Sequence, residues 1–197
     1  MPRRTAPPLQ VLTDPRPQVL LPSAVLGMLI FVFVEVMFFA GMVSAFLISK
    51  SGAILGWPPP GQPRLPIGET AFNSLALVAS GVLLFWAGRA YRKERRSARV
   101  PLLAAIGLGA FFVCFQGVEW VALIREGLTL TSSNHGSFFY LIVGTHAAHA
   151  VAALGGLLYA FLRLRRRLLN HSTFAAASVF WYFVVGVWPV LYAVVYL

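Results

Sequence analysis

The stretch HGSFFYLIVGTHAAHAVAALGGLL, residues 135–158, begins with a glycine-rich helix entry and places His146 and His149 in an otherwise apolar run. A run of this length and composition is typical of a helix that crosses a membrane. Three residues correspond to about 300° of rotation around an α-helix, so the two histidines are predicted to project from one side, one turn apart. The stretch therefore predicts a membrane helix that carries polar chemistry on one side.

The same helix has a second predicted face, made of small residues. Gly144, Ala148, Ala152 and Gly156 recur at every fourth position. Small residues at this spacing allow the backbone of a neighbouring helix to approach closely. We therefore expect this stripe of small residues to be a helix-packing surface.

The composition of the whole chain predicts an integral membrane protein. Of the 197 residues, 58% are hydrophobic and only 11% are charged, and the mean hydropathy is +0.76. One water-soluble domain cannot bury that much apolar surface. The formal net charge of +10 does not indicate nucleic-acid binding, because the basic residues lie in short clusters between apolar runs, as in membrane loops. We expect no nucleic-acid partner.

Five apolar runs predict an all-α bundle of five transmembrane helices. They cover about residues 23–48, 68–90, 100–124, 137–162 and 172–196. Each is long enough to cross a hydrocarbon core of about 30 Å. The segment before them, residues 1–22, holds six of the 13 prolines, which disfavours helix and predicts a disordered or extended tail without a signal peptide. One membrane domain, residues 23–197, is expected to follow the tail.

The distribution of lysine and arginine predicts the orientation. The tail, the second loop and the fourth loop carry 3, 6 and 4 of these residues, whereas the opposite side carries only Lys50, Arg64 and Arg125. Cytoplasmic loops of membrane proteins carry the excess of positive charge. We therefore expect a cytoplasmic N-terminus and an external C-terminus. The basic loops are interpreted as topology determinants that meet anionic headgroups, with docking of another protein as the alternative.

Glu35 is the acidic residue expected near the middle of the membrane. Even lenient insertion scales assign a carboxylate at this depth a cost of about 2.5–3.5 kcal/mol. We therefore expect the carboxyl to be protonated, or hydrogen-bonded to another helix or subunit. Two interpretations stay open: a neutral structural acid, and a proton-exchanging or lipid-sensitive site.

A second polar group is predicted near the outer end of the third helix. Gln116 and Glu119 lie three residues apart and share a side, and Trp120 has the character of an interfacial aromatic residue. An acid near water is less costly than one at mid-depth. We expect Glu119 to bond to a headgroup or to another helix rather than to act in catalysis.

The histidines of the fourth helix are interpreted as hydrogen-bonding groups. Metal ligation would require further donors on facing helices, and His135 and His171 both fall in loops or at helix ends. The sequence has no Glu-x-x-His pair for a di-iron site and no clear pair of histidines for a haem. We expect His146 and His149 to bond to a carboxyl such as Glu119, to a lipid headgroup or to a partner protein, and we expect no metal.

Taken together, these motifs resemble subunit III of the haem-copper respiratory oxidases, in a short form with five helices instead of seven. The resemblance runs from about Leu26 to the C-terminus. The matching residues, in order, are Glu35 with Phe38-Phe39-Ala40-Gly41, Asn73-Ser74, Ser80-Gly81, Gln116-Gly117-Val118-Glu119-Trp120, His135-Gly136-Ser137-Phe138-Phe139, Gly144-Thr145-His146, His149, Trp181, Phe183-Val184 and Trp188.

The last helix departs from the family pattern at two positions. The family's aromatic run normally reads Trp-His-Phe-Val-Asp, whereas this chain has Trp181-Tyr182-Phe183-Val184-Val185. The usual histidine and aspartate are replaced by Tyr182 and Val185. This difference argues against any role that needs a polar pair at the end of the bundle, and it indicates a divergent branch of the family.

The resemblance implies an accessory subunit without redox centres or cofactors of its own. Members of the family resemble a V-shaped bundle whose first helices diverge and leave a cleft for phospholipids, and they pack against catalytic subunit I. The resemblance further implies that subunits I and II are partners and that they hold haem and copper. It implies a role in proton uptake and in protection of the active site. It also implies a location in a bacterial plasma membrane, and membership of a respiratory supercomplex stays an open option. It implies that Glu35 faces the cleft or subunit I, and that Glu119, His146 and His149 line the lipid-facing interior.

Four alternatives remain beside a cytochrome c oxidase subunit. The chain could belong to a quinol oxidase or to a nitric oxide reductase-associated protein of the same branch. A free-standing small transporter or proton channel would need a path of polar groups across the bilayer, and the second and fifth helices offer nothing comparable to Glu35. A membrane cytochrome would use His146 or His149 as an axial haem ligand.

Overall fold

The protein is described by a computed structural model that covers residues 22–54 and 56–197. The described residues form five long α-helices and no strand, and each helix is long and apolar enough to cross a membrane. The predicted all-α bundle of five transmembrane helices is confirmed. The helices are α1 (Ser23–Ser51), α2 (Ile67–Lys93), α3 (Arg99–Arg125), α4 (Asn134–Arg165) and α5 (His171–Leu191), and α5 continues into a π-helical turn (Tyr192–Tyr196).

The helices extend beyond the predicted apolar runs by up to one turn, because polar residues cap or continue their ends. Ser133 accepts a hydrogen bond from the Gly136 N–H at the start of α4, and Asn170 accepts one from the Thr173 N–H at the start of α5. These are N-cap contacts that satisfy free amide groups of the first turn. The predicted tail, residues 1–22, lies outside the described residues apart from Pro22.

Helices α4 and α5 share the centre of the bundle. Helix α5 packs against α1, α2 and α4, and α4 packs against α1, α3 and α5. Helix α3 packs against α2 and α4. Helix α1 joins the bundle through Phe39, Met42 and Phe46, which are buried against α4 and α5. A groove lies between the start of α1, the end of α2 and the start of α5. The divergence of the first helices that the resemblance implies stays a prediction.

Gly109 on α3 makes room for the indole of Trp181, which reaches it from α5. The indole of Trp181 is fully buried, and a β-carbon placed on Gly109 would lie 2.6 Å from two of its ring atoms. The Trp181 Nε1 donates to Ser80 Oγ at 3.1 Å, and Ser80 Oγ donates to the Ala105 carbonyl at 2.7 Å. Three helices therefore meet at one tryptophan, whose indole is held in place by a hydrogen bond.

We expect Gly109→Ala to destabilise the protein by about 1–3 kcal/mol, the usual cost of overpacking a filled core. The Trp181 ring cannot move away without losing its bond to Ser80. Gly107→Ala is the matched control, because a β-carbon at Gly107 meets no atom within 4 Å. Thermal denaturation of the purified complex measures both variants. Equal melting temperatures for the two would contradict the tight fit of the Trp181 indole against Gly109.

The predicted stripe of small residues on α4 packs on no single helix of this chain. A β-carbon at Gly144 would lie 3.6 Å from Trp120 on α3, and one at Gly156 would lie 3.9 Å from Ala177 on α5. Between them, Ala148 and Ala152 are exposed. Each step of four residues advances about 40° beyond a full helical turn, so the stripe winds around α4. The stripe therefore packs on no single helix of this chain, and its role as a helix-packing surface, against another subunit, stays a prediction.

Candidate functional site: two polar clusters between the helices

The first polar cluster joins α1 to α4 through Glu35 and His149. The Glu35 Oε2 lies 3.0 Å from the His149 Nε2, and the His149 Nδ1 lies 2.8 Å from the Thr145 carbonyl oxygen. A backbone carbonyl only accepts hydrogen bonds, so Nδ1 carries a proton and donates it to Thr145. The contact between Nε2 and the carboxyl then holds one further proton, whether it resides on nitrogen or on oxygen.

This arrangement keeps the pair neutral as a whole. If the shared proton lies on His149, the imidazolium faces a carboxylate, and if it lies on Glu35, both groups are uncharged. Neutral groups and closely paired opposite charges cost far less in a membrane than a lone carboxylate. The two side chains are 15% and 16% exposed. The pair therefore explains how the chain carries an acid at mid-membrane depth.

Aromatic rings surround the imidazole of His149. The ring of Phe39 lies 5.4 Å from it, and the rings of Phe180 and Phe183 each lie 6.2 Å away, all in edge-to-face geometry. These rings come from α1 and α5 and cover the imidazole with apolar surface. Such surroundings restrict the access of water to the pair and fix the position of the imidazole.

The sequence suggested Glu119 as an example of a carboxyl that bonds to a histidine of α4. In the structure, this carboxyl belongs to Glu35 instead. Glu35 and His149 are 114 positions apart in the chain. The sequence predicted a carboxyl partner for a histidine of α4 and, separately, an interhelical partner for Glu35. It did not predict that these two residues bond to each other, because nothing in it indicates that α1 packs beside α4.

The second polar cluster surrounds Glu119 at the other end of α3 from the basic loops. Thr70 Oγ1 lies 3.2 Å and 3.0 Å from the two carboxyl oxygens, and Gln116 Nε2 donates to Oε2 at 2.8 Å. Gln116 Nε2 also lies 3.3 Å from the Tyr196 hydroxyl oxygen. Glu119 is only 5% exposed and Thr70 is fully buried. The Glu119 cluster therefore links α2, α3 and the π-helical turn.

Of the two partners considered for Glu119, a headgroup or another helix, the structure provides another helix. Thr70 and Tyr196 were not predicted as members of this cluster. The sequence contained a signal that places Thr70 near Glu119. Helices α2 and α3 are joined by a loop of only five residues and must therefore run antiparallel. The start of α2 therefore lies at the same depth as the end of α3, where Glu119 is found.

His146 does not share the role of His149. It is 1% exposed, its Nε2 has no hydrogen-bond partner in the described residues, and its ring stacks on Trp188 with centroids 4.9 Å apart. Trp188 is held in turn by a hydrogen bond from its Nε1 to Ser74 Oγ at 2.7 Å. In this packing His146 contributes mainly a flat aromatic surface inside the bundle.

The indole of Trp120 packs against α4, and its role as an interfacial residue stays a prediction. Its ring packs edge-on against Tyr140 at 5.8 Å, and its Nε1 is buried without a hydrogen-bond partner in the described residues. An interfacial tryptophan normally keeps this N–H within reach of water or headgroups. Trp120 fills space between α3 and α4.

The donor atoms of the site do not gather as metal sites do. Within residues 22–54 and 56–197, no group of three or more histidine, cysteine, aspartate or glutamate side chains lies close enough to hold a metal ion. Glu35 and His149 supply two donors, fewer than the three or four protein ligands of most zinc sites. The absence of a metal in the whole chain stays a prediction.

The fold and these clusters define a multi-pass helical membrane protein with buried polar groups between its helices. The sequence model of the family "Cytochrome c oxidase subunit III" matches residues 19–197. The chain belongs to this family, whose members are subunits of a respiratory oxidase complex.

Curated relatives support the assignment. The protein named cytochrome c oxidase subunit 3 from Pongo abelii is 35% identical over 182 residues, and that from Homo sapiens is 34% identical over 182 residues. The protein of the same name from Equus caballus is 32% identical over 179 residues. Each comparison covers 86% of this chain and 67% of the relative. The similarity therefore extends over most of the described helices.

Proposed function

We propose that the chain is an accessory subunit without redox centres that packs on catalytic subunit I of a terminal oxidase with cytochrome c as electron donor. Its other expected partner is subunit II, and haem and copper belong to the partner subunits. We further propose that it supports proton uptake and stability and that it lies in a bacterial plasma membrane. The relatives named above are mammalian, so this location rests on the resemblance to the short five-helix form.

The observation that carries the proposal is the Glu35–His149 pair. The pair holds a proton that can pass between oxygen and nitrogen without changing the net charge of the pair. Both side chains remain partly exposed at the surface of the bundle, where a second subunit could be contacted. A group with these properties is suited to exchange protons with a neighbouring subunit at low electrostatic cost.

A groove between α1, α2 and α5 supports the proposed binding of phospholipid. The groove has a volume of about 710 Å³ and is lined mostly by apolar groups, among them Val25, Leu84 and Phe174. Basic side chains border it near the end of α2; these are Arg89, Arg92 and Lys93. Apolar walls suit acyl chains, and basic residues near the membrane surface attract anionic headgroups.

Co-purification tests the proposed function. The tagged chain is isolated in mild detergent, and the product is analysed by optical spectroscopy, by mass spectrometry of its proteins and by lipid extraction. We expect a large haem-bearing subunit and retained phospholipid. The haem type and the partners distinguish a cytochrome c oxidase from a quinol oxidase or a nitric oxide reductase-associated protein. A colourless, solitary chain would overturn the proposal and favour a transporter built around Glu35.

Substitution at the acid–base pair provides a second test. We expect Glu35→Gln to leave assembly intact, because glutamine can still bond to His149, but to accelerate turnover-dependent inactivation several-fold, because the amide neither gains nor releases a proton near neutral pH. Inactivation is followed as oxygen consumption over successive turnovers of the purified complex.

His146→Phe is the matched control for this substitution. His146 lies one turn from His149, and its stacking on Trp188 requires only a flat ring. We expect this variant to assemble and to inactivate at the rate of the unsubstituted complex. If Glu35→Gln and His146→Phe inactivate at the same rate, the proposed proton role of the pair is wrong.

A further inference from the structure

The loops at one end of the bundle bring arginine side chains together around a cavity. The loops are residues 94–98, between α2 and α3, and residues 166–170, between α4 and α5. A cavity of about 310 Å³ lies between them, and we call it the arginine cavity. Its lining residues are Glu94, Arg95, Arg96, Arg99, Leu164, Arg167 and Leu169.

Within the described residues, arginines outnumber acids at the arginine cavity. Four arginines and one glutamate, Glu94, line it. No ion pair joins any of them to a carboxylate within 4.0 Å, since the pair found in the described residues is Glu35–His149. Glu94 accepts a hydrogen bond from Ser97 Oγ at 2.9 Å instead. The cavity therefore offers a concentration of positive charge to a ligand from outside the chain.

The guanidinium group of Arg99 makes one hydrogen bond and has one N–H without a partner in the described residues. Its Nη2 donates to the Arg165 carbonyl at 3.4 Å, a long hydrogen bond. Its Nε is buried and has no hydrogen-bond partner in the described residues. A buried donor without a partner is destabilising, and more so when it is charged. Arg99 therefore keeps hydrogen-bonding capacity that the described residues do not use.

Arg167 occupies a backbone position that normally requires glycine. Its φ is +60°, in the left-handed region. The N–H of Arg167 donates to the Leu164 carbonyl at 3.1 Å, and the N–H of Leu168 donates to the Arg163 carbonyl at 2.8 Å. These two bonds form the Schellman motif that ends many helices, in which the left-handed residue is usually glycine. A non-glycine residue there is strained, because its β-carbon lies too close to the following carbonyl oxygen.

The end of α3 shows the same motif with the usual residue. Gly127 has a φ of +94°, its N–H donates to the Ile124 carbonyl, and the Leu128 N–H donates to the Leu123 carbonyl. This chain therefore uses glycine where the turn alone matters. Membrane topology requires positive charge in the loop but no particular position for it. Neither the turn nor the topology explains an arginine at position 167.

We propose that the arginine cavity binds a phosphate-bearing anion, which is either the headgroup of an anionic phospholipid or a soluble phosphate compound. The planar guanidinium presents paired N–H donors that match the geometry of phosphate oxygens. Several arginines around one concavity allow more than one phosphate oxygen to be bound at once. The cavity lies just beyond the apolar parts of α2, α3 and α4, so both a lipid headgroup and a solute can reach it.

Binding is tested on the complete oxidase complex in lipid nanodiscs, in two arms. In the first, discs of phosphatidylcholine alone are titrated with pyrophosphate by calorimetry at low ionic strength. In the second, the discs also contain phosphatidylglycerol, and native mass spectrometry measures how much of it the complex retains. The cavity variants are Arg167→Gly and Arg99→Gln. The control is Arg166→Gln, which removes the same charge from an exposed neighbour outside the cavity lining.

We expect both cavity variants to weaken binding about tenfold in at least one arm, and Arg166→Gln to have little effect. Arg167→Gly should keep or raise the melting temperature of the complex because glycine suits the left-handed turn, so its loss of binding cannot be attributed to unfolding. Loss in the pyrophosphate arm identifies a soluble ligand, and loss in the phosphatidylglycerol arm alone identifies a lipid. If Arg166→Gln weakens binding as much as the cavity variants do, or if no variant differs in either arm, the inference is wrong.

Discussion

Replacing Gly136 by alanine is expected to destabilise the protein by about 3 kcal/mol or more, at the upper end of single-residue effects. A β-carbon at Gly136 would collide with the Thr129 carbonyl oxygen and would lie 2.9 Å from Ser132 Oγ. Both groups belong to the tight turn before α4, where Ser132 Oγ donates to the Thr129 carbonyl at 3.0 Å. Because a backbone atom is involved, the collision cannot be relieved by rotation of a side chain.

The thermal denaturation of the purified complex and the amount of chain that it retains measure this effect. Gly155→Ala is the matched control on the same helix, because a β-carbon there meets no atom within 4 Å. Alanine favours helix over glycine by about 1 kcal/mol, so this variant should be as stable as the parent or slightly more stable. If Gly136→Ala melts at the same temperature as Gly155→Ala, the close approach of the turn to α4 is not present in the protein.

Glu119→Leu is expected to have the second-largest effect, a loss of about 2–3 kcal/mol. The substitution removes the acceptor of the Thr70 hydroxyl and of the Gln116 amide, both of which are buried. A buried polar group that loses its partner costs about 1–3 kcal/mol. Two buried groups lose their acceptor, but hydrogen bonds between membrane helices average only about 0.6 kcal/mol. The expected loss of stability is therefore at the lower end of the range for two such groups.

The melting temperature of the complex again provides the measurement. Glu126→Leu is the control, because it removes the other acid at this end of α3. Glu126 is exposed, and its side chain makes no hydrogen bond within the described residues. The double variant Thr70→Val, Glu119→Leu should recover part of the loss, because the hydroxyl no longer lacks an acceptor. No recovery in the double variant would show that Thr70 and Glu119 do not act as a pair.

The sequence could predict the helices but not their neighbours. Long apolar runs separated by charged loops have one stable solution in a bilayer, because every backbone N–H and C=O must be satisfied within its own segment. The same runs are apolar on nearly all sides, so they contain little information on which side faces another helix. The stripe from Gly144 to Gly156 illustrates the difficulty, since its exposed middle packs on no helix of this chain.

The polar residues show the same division. The cost of a carboxyl in the membrane predicted that Glu35 and Glu119 would have partners, and each has one. The identity of the partner depends on which helices are adjacent. Because α1 packs beside α4, Glu35 forms its hydrogen bond with His149, and because α2 packs beside α3, Glu119 forms one with Thr70.

By itself the sequence determined the five helices, the uneven distribution of basic residues and the requirement for partners of the buried acids. These properties follow from hydrophobicity, charge and hydrogen-bonding capacity, which each segment carries independently of its neighbours. Only the tertiary structure decided that one histidine of α4 bonds to an acid while the other stacks on Trp188, and that four arginines surround one cavity. Such contacts join residues far apart in the chain, because they depend on how apolar helices pack rather than on the pattern within any one of them.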